Sequence, residues 1–142
     1  MTENDRAFLE ISLTLLQQGC RVRFRPGGQS MRPAIKDGEA ILVEPVKLSQ
    51  IHPDDIILYR MERGVIAHRV QRLEQRGGDI LFITRGDTSH ADDAPVPAED
   101  VLGLVVAVER DGRTITLTGR TARWRRAARR LASRVRSWLR NH

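Results

Sequence analysis

The chain has little of the chemistry that builds disulfide-stabilised domains or metal sites. Its 142 residues include one cysteine, Cys20, which excludes an internal disulfide. Because there is no second thiol and no cluster of histidines, the sequence suggests no metal site, and we expect no cofactor. A reducing compartment is compatible with this cysteine content.

Aromatic residues and long apolar runs are also scarce. No run approaches 18 apolar residues, and the N-terminal Thr2-Glu3-Asn4-Asp5 is polar and acidic where a signal peptide would be basic. We therefore expect neither a transmembrane segment nor a signal peptide, and a protein that is cytoplasmic or peripherally membrane-associated. Aliphatic side chains must supply most of the core, because only six residues are aromatic: Phe8, Phe24, Tyr59, Phe82, Trp124 and Trp138.

The positive charge is unevenly distributed along the chain. The formal net charge is +6, but residues 119–142 hold nine arginines and no acid, so residues 1–118 carry a net charge of −3. The basic character belongs to the tail and not to the domain, which disfavours nucleic acid as a partner. We place the boundary near Gly119, with a domain at 1–118 and a basic tail at 119–142.

The sequence of the tail predicts a basic amphipathic helix over residues 121–140. Its apolar residues step by four, three, four and three positions opposite a face of arginines. We expect this helix to bind an anionic membrane surface; the alternative is packing on the domain or on a second copy of the chain. The apolar stripe consists of Trp124, Ala128, Leu131, Val135 and Trp138.

The spacing of apolar and turn residues in the domain, 1–118, predicts a mainly β fold after one N-terminal helix. Apolar spacing indicates a short helix over residues 5–18 that ends at Gly19. Six or seven short strands at a spacing of 8–15 residues indicate a folded or barrel-like β domain. The first, residues 21–25, alternates basic and apolar side chains and is interpreted as a solvated edge strand, or else as a strand that contacts a substrate. The others are expected at 39–46, 56–61, 65–73, 80–84, 101–108 and 114–118.

A shaped loop surrounds Ser30. Glycines precede this serine, Pro33 restricts the backbone after it, and Asp37-Gly38 turns the chain into the next strand. A hydroxyl on a constrained loop next to a strand suits a nucleophile, although a glycine-rich turn with an exposed serine has the same pattern.

A histidine and an aspartate-rich loop follow Ser30 in the chain. His68 lies near the middle of a predicted strand 38 residues later, and Asp87, Asp92 and Asp93 follow the next strand. A serine hydroxyl needs a base, and an imidazole serves near neutral pH if a carboxylate fixes its tautomer. Taken singly, His68 could be a hydrogen-bonded strand residue and the aspartates an ordinary turn cluster.

Four ordered blocks between residues 26 and 108 resemble the type I signal peptidase family of S24/S26-like serine peptidases. Ser30-Met31-Arg32-Pro33, continued by residues 37–43, looks like the nucleophile box and its strand. Residues 54–59 and 66–70 are similar to the next two strands, and residues 86–93 to the Gly-Asp-Asn loop. Histidine at position 68 resembles the archaeal, endoplasmic-reticulum and sporulation-type branch, which has histidine where common bacterial members have lysine.

The resemblance implies a coiled, mostly β fold and peptide-bond hydrolysis through an acyl-enzyme, with a peptide or preprotein as substrate. It implies Ser30 as nucleophile, His68 as general base and Asp93 as the orienting carboxylate, with Asp87 supporting the loop and Asp92 a weaker candidate. Substrate and oxyanion contacts are expected from Gln29, Met31 and Pro33.

Two positions and the N-terminus depart from the family pattern. Gly28 replaces a common serine, which removes one hydroxyl from the oxyanion side, and Thr88 replaces a usual asparagine. The membrane anchor usual in relatives is not evident. The alternative function is a non-catalytic or self-cleaving protein, similar to the repressors that share this fold, although those use a lysine base.

Overall fold

The computed structural model describes residues 3–62, 64–117, 136 and 138–140. One helix precedes eight strands: α1 (Glu3–Gln17), β1 (Val22–Phe24), β2 (Ala40–Glu44), β3 (Ile56–Met61), β4 (Gly64–Arg76), β5 (Asp79–Arg85), β6 (Val96–Pro97), β7 (Val101–Arg110) and β8 (Arg113–Thr116). Short 3-10 turns lie at Leu48–Gln50 and Ala98–Asp100. The predicted mainly β fold with a short N-terminal helix is confirmed.

All eight strands belong to one antiparallel sheet. The order is β1-β2-β7-β3-β4-β5-β6, and β8 adds to β7. Within the described residues the end strands β1 and β6 do not pair with each other, so the sheet is open. The long strand β7 holds the sheet together because it pairs with β2, β3 and β8.

Two apolar clusters pack on the sheet. The first joins the buried face of α1, formed by Leu9, Leu13 and Leu16, to side chains of β2 and β7. The second surrounds Phe82 and Val70, both fully buried. Aliphatic residues predominate in both clusters, as the low aromatic content predicts.

The strand β4 changes partners along its length. Its residues 64–69 pair with β3, and its residues 69–76 pair with β5, with an irregularity between Val70 and Arg72. Irregularities of this kind bend a strand and redirect its side chains. Over residues 64–68 the second edge of β4 therefore has no strand partner in the part of the chain that the structure describes.

The N-terminal helix and the first strand fit their predicted roles. The helix shows the expected apolar periodicity, yet Phe8 and Ile11 remain 55% and 60% exposed on its outer side. The edge position of β1 and its ion pairs, Arg21 with Glu44 and Arg23 with Glu109, favour the interpretation of residues 21–25 as a solvated edge strand.

Most of the predicted tail helix, 121–140, and the proposed boundary at residues 118 and 119 lie outside the described residues. Arg136 and residues 138–140 are helical, and the side chains of Trp138 and Leu139 are 60% and 62% exposed. Among the described residues, no helix combines the length and the apolar character needed to cross a membrane.

Candidate active site

The predicted serine, histidine and aspartate come together at one place on the sheet. Ser30 Oγ lies 3.0 Å from His68 Nε2, and His68 Nδ1 lies 2.6 Å from Asp93 Oδ2. A carboxylate can only accept, so the proton of the imidazole lies on Nδ1 and Nε2 is left to accept from the serine hydroxyl. The three side chains form a continuous hydrogen-bonded chain.

The partner change of β4 positions His68. The residue lies in the last part of the strand that pairs with β3 alone, opposite Ile57, directly before β5 joins at Arg69. Its side chain is 7% exposed, and its ring packs edge-on against Tyr59 at a centroid distance of 6.5 Å. Burial and this contact fix the orientation of the imidazole.

Two hydroxyl groups that the sequence analysis did not identify hold Asp93. The Thr84 hydroxyl donates to Asp93 Oδ2 at 2.9 Å, and the Tyr59 hydroxyl lies 3.2 Å from the same oxygen and 3.0 Å from Thr84 Oγ1. The backbone N–H of Asp93 donates to the carbonyl of Thr84 at 2.8 Å. Burial, reinforced by the charge of Asp93, raises the pKa of Tyr59 to about 12, so its hydroxyl stays protonated at neutral pH.

The loop after β5 contacts the serine from the other side. Thr88 donates to the carbonyl of Ser30 through its backbone N–H at 3.0 Å and its hydroxyl at 3.3 Å. A Cβ added at Gly86 would lie 3.0 Å from that carbonyl oxygen and 3.1 Å from His68 Nε2. Gly86 therefore permits the close approach of this loop to the serine and the histidine. In the sequence, Gly86 could have been identified by its position at the start of residues 86–93, the block that resembles the Gly-Asp-Asn loop.

The other aspartates of the loop do not contact His68. Asp87 forms a two-pronged ion pair with Arg69, with both distances 2.8 Å, and so ties the loop to β4 beside the histidine. Asp92 is exposed and pairs with Arg72 and Arg85, whose hydrogen bonds hold its pKa below the usual range.

Of the predicted substrate and oxyanion residues, two lie on the surface and one lies in the core. Gln29 is exposed next to Ser30, whereas Met31 is 4% exposed and belongs to the cluster beneath α1. Pro33 is exposed, and its carbonyl accepts from Arg110 at 3.0 Å. The backbone N–H of Ser30 makes no backbone hydrogen bond among the described residues.

A small cavity of about 30 Å³ adjoins the serine. Ser30 and Met31 line one side and Val65, Ile66 and Ala67 of β4 the other; Pro26, Gly27, Gly28 and Ile35 complete the lining. Within the described residues no three or more His, Cys, Asp or Glu side chains cluster closely enough to hold a metal ion.

The domain is mainly antiparallel β, and in it a loop serine contacts a strand histidine that in turn contacts a loop aspartate, an order of side chains that serine peptidases also use. Residues 2–106, more than half of the chain, match the family described as Peptidase S24-like, and the chain belongs to this family.

The curated relatives are signal peptidases. The chain is similar to Signal peptidase I W of Bacillus subtilis, with 32% identity over 75 residues, which cover 51% of this chain and 40% of that protein. It is similar also to the Signal peptidase complex catalytic subunit SEC11C of Homo sapiens and of Canis lupus familiaris, with 33% identity over 67 residues, 45% of this chain and 35% of each relative. The matches thus span less than half the length of these relatives.

Proposed function

We propose that this chain is a serine endopeptidase of the signal-peptidase type that removes a leader or propeptide through an acyl-enzyme on Ser30. The single observation that carries the proposal is the hydrogen-bonded chain from Ser30 through His68 to Asp93, with distances of 3.0 Å and 2.6 Å. Membership of the Peptidase S24-like family and similarity to signal peptidases support the same reaction.

The proposed reaction follows from the positions of two protons, one on His68 Nδ1 and one on the Ser30 hydroxyl. His68 Nε2 takes the proton of Ser30 Oγ as the oxygen attacks the peptide carbonyl carbon, and Asp93 stabilises the imidazolium that forms. The backbone N–H of Ser30, with Gln29 nearby, would donate to the oxyanion. When the intermediate collapses, the imidazolium gives its proton to the departing amine. Water, activated by the same imidazole, then hydrolyses the ester.

The free edge of β4 suits an extended peptide. Backbone groups over residues 64–68 have no second strand partner among the described residues, and an added peptide strand would satisfy them. The cavity of about 30 Å³ between this edge and Ser30 has room for one or two heavy atoms, so we expect a small residue such as alanine before the cleaved bond. Met31 shapes the floor of this cavity from below.

The test compares variants of the two reacting residues with matched neighbours. Ser30→Ala and His68→Ala should each lower cleavage of a synthetic peptide library, followed by mass spectrometry, by at least about 10³-fold. Ser89→Ala and His90→Ala, which alter an exposed serine and histidine of the neighbouring loop, should keep wild-type cleavage.

A fluorophosphonate probe gives a second readout that needs no substrate. Its adduct should map to Ser30 and should form far more slowly in His68→Ala. Circular dichroism shows whether each variant is folded. Undiminished cleavage by a folded Ser30→Ala or His68→Ala variant would contradict the proposal.

A further inference from the structure

The carbonyl group of Ser30 is held by the loop that carries Asp93. The backbone N–H of Thr88 donates to this carbonyl at 3.0 Å, and the Thr88 hydroxyl donates to the same oxygen at 3.3 Å. A carbonyl oxygen has two lone pairs, so the two donors use its full capacity. Neither the family match nor the proposed proton transfers give these two hydrogen bonds a role.

One of the two hydrogen bonds depends on the side chain at position 88. Threonine stands here where asparagine is usual in the family that the sequence resembles. The threonine hydroxyl is attached to Cβ, and branching at Cβ restricts the side chain to few rotamers. The hydroxyl therefore loses little rotamer freedom when it is held toward the Ser30 carbonyl.

The backbone of Ser30 has few other contacts. Before it, the N–H of Gly28 donates to Asp37 Oδ1 at 3.0 Å, and after it, the side chain of Met31 is buried beneath α1. The N–H of Ser30 itself makes no backbone hydrogen bond among the described residues. In that part of the chain, Thr88 therefore supplies the hydrogen bonds that the Ser30 backbone makes.

The same loop also approaches the histidine. A Cβ added at Gly86 would lie 3.1 Å from Ser30 Cβ and 3.1 Å from His68 Nε2, so the loop passes close to both reacting side chains. Asp87 joins the loop to Arg69, the next residue of β4, through two hydrogen bonds of 2.8 Å. The loop thus links the backbone of the serine to the strand of the histidine.

This link bears on the alignment of the nucleophile. Proton transfer requires Ser30 Oγ to stay within hydrogen-bond reach of His68 Nε2, and attack requires the same oxygen to face the peptide carbonyl carbon. Rotation of the peptide group after Ser30 would displace its Cβ and Oγ together. Donors on the Ser30 carbonyl oppose that rotation.

We propose that Thr88 is a positioning residue that acts through Ser30, because its hydroxyl holds the serine backbone so that Oγ stays aligned with His68 Nε2. The proposal rests on the proposed peptidase function. It gives the loop that supplies Asp93 a second part in the site, which is to hold the nucleophile.

The experiment removes the hydroxyl and keeps the shape of the side chain. Thr88→Val retains the branched Cβ and the backbone N–H. The rate of fluorophosphonate labelling at Ser30 and kcat for a peptide from the library should each fall about threefold to tenfold, with KM little changed. Thr88→Ala, a second variant without the hydroxyl, should show a loss at least as large. Thr88→Ser, which keeps the hydroxyl, should stay within about twofold of the wild-type rates.

A matched threonine serves as the control. Thr114→Val removes the hydroxyl of an exposed threonine in β8 and should leave both rates unchanged. Urea unfolding identifies conditions in which every variant is folded, and the rates are measured there. Wild-type rates in Thr88→Val, or an equal loss in Thr88→Ser, would overturn the role of the hydroxyl while leaving the peptidase function intact. A wild type that neither cleaves the library nor reacts with the fluorophosphonate would instead contradict the function itself.

Discussion

At the scale of single residues, the Asp93 carboxylate is the most densely hydrogen-bonded part of the site. One oxygen, Oδ2, lies within 3.2 Å of His68, Thr84 and Tyr59. Hydrogen-bond donors fix the position of a carboxylate, so the two hydroxyl groups hold the Asp93 side chain against His68. We infer that Tyr59 and Thr84 act as positioning residues, through Asp93.

We predict that Tyr59→Phe removes one donor to Asp93 while keeping the packing of the ring. The lost hydrogen bond to a charged group should lower the free energy of unfolding by about 1.5–3 kcal/mol and kcat by about tenfold, with KM little changed. Urea unfolding and steady-state kinetics measure the two effects.

The raised pKa of Tyr59 gives this prediction a second readout. A group whose pKa is higher in the folded than in the unfolded chain contributes its full stabilisation of the fold at a pH below the unfolded pKa, which is near 10 for tyrosine. That contribution is lost as the pH rises through about 12. The difference in unfolding free energy between wild type and Tyr59→Phe should therefore shrink above pH 10. A constant difference would contradict a role for the protonated hydroxyl.

The proximity of Ser30, His68 and Asp93 was predictable from chain order and residue type, whereas the hydroxyl groups that contact Asp93 were not. Ser30, His68 and Asp93 occupy blocks that resemble a known family and carry the residue types that nucleophilic hydrolysis requires. Tyr59 and Thr84 reach Asp93 because β3 pairs with β4 and β4 pairs with β5, and no local sequence pattern encodes this strand order. Gly28 has φ +82°, a conformation that suits glycine, so backbone geometry accounts for glycine at this departure from the family pattern.

At the scale of elements, the loop that carries Ser30 is held at its far end by β7. Arg110 donates to both carboxylate oxygens of Glu39, at 2.5 Å and 2.8 Å, and to the carbonyls of Pro33 and Ala34 at 3.0 Å and 3.3 Å. Glu39 also accepts from the backbone N–H of Lys36. One arginine thus fixes both the middle and the end of the loop.

We predict that Arg110→Gln loosens this loop. The free energy of unfolding should fall by about 1–3 kcal/mol, and kcat and the rate of fluorophosphonate labelling should fall about tenfold, because a displaced nucleophile loses its alignment with His68. Arg23→Gln is the matched control, since Arg23 forms its ion pair with Glu109, the neighbour of Arg110 in β7, rather than with a residue of the loop. Equal labelling rates for the two variants would contradict the role of Arg110.

The stability effect of Arg110→Gln should depend on pH. The hydrogen bonds from Arg110 lower the pKa of Glu39 to about 2. A lowered pKa means that the stabilisation is present above the unfolded value near 4.5 and is lost as the pH falls toward 2. The difference between wild type and variant should be full at pH 7 and small at pH 2.5, as measured by urea unfolding.

Elements with strong patterns were predictable, and those that depend on their neighbours were not. The helix and the strands β3, β5 and β7 lie within a few residues of their expected bounds, because apolar alternation and turn residues mark them. Strand β6, Val96–Pro97, has no such pattern and exists because β5 offers it an edge. The extension of β4 to Arg76 depends likewise on pairing with β5.

At the scale of the whole molecule, the separation of charge sets the basic tail apart from the rest of the chain. Nine arginines follow residue 118, and the preceding residues have a net negative charge. We propose that the tail binds an anionic membrane surface, where attraction of the arginines and burial of the tryptophans add.

We predict that the full chain binds vesicles that contain anionic lipid and that removal of residues 119–142 abolishes binding. Part of the binding should persist at high salt, because tryptophan burial does not depend on charge, whereas binding to duplex DNA should fall steeply. Vesicle cosedimentation at low and high salt measures this. Equal binding by the truncated chain, or binding to DNA alone, would contradict the proposal.

The unpaired half of β4 has a consequence for turnover. If the substrate supplies the missing neighbour of residues 64–68, the intact peptide is a ninth strand of the sheet. Hydrolysis cuts that strand in two: the amine fragment departs first, and the acyl fragment stays bound to Ser30 as an ester. Once water hydrolyses that ester, only the hydrogen bonds of a shortened strand hold the acyl fragment, so the sheet would return to its open form without a separate movement to release it.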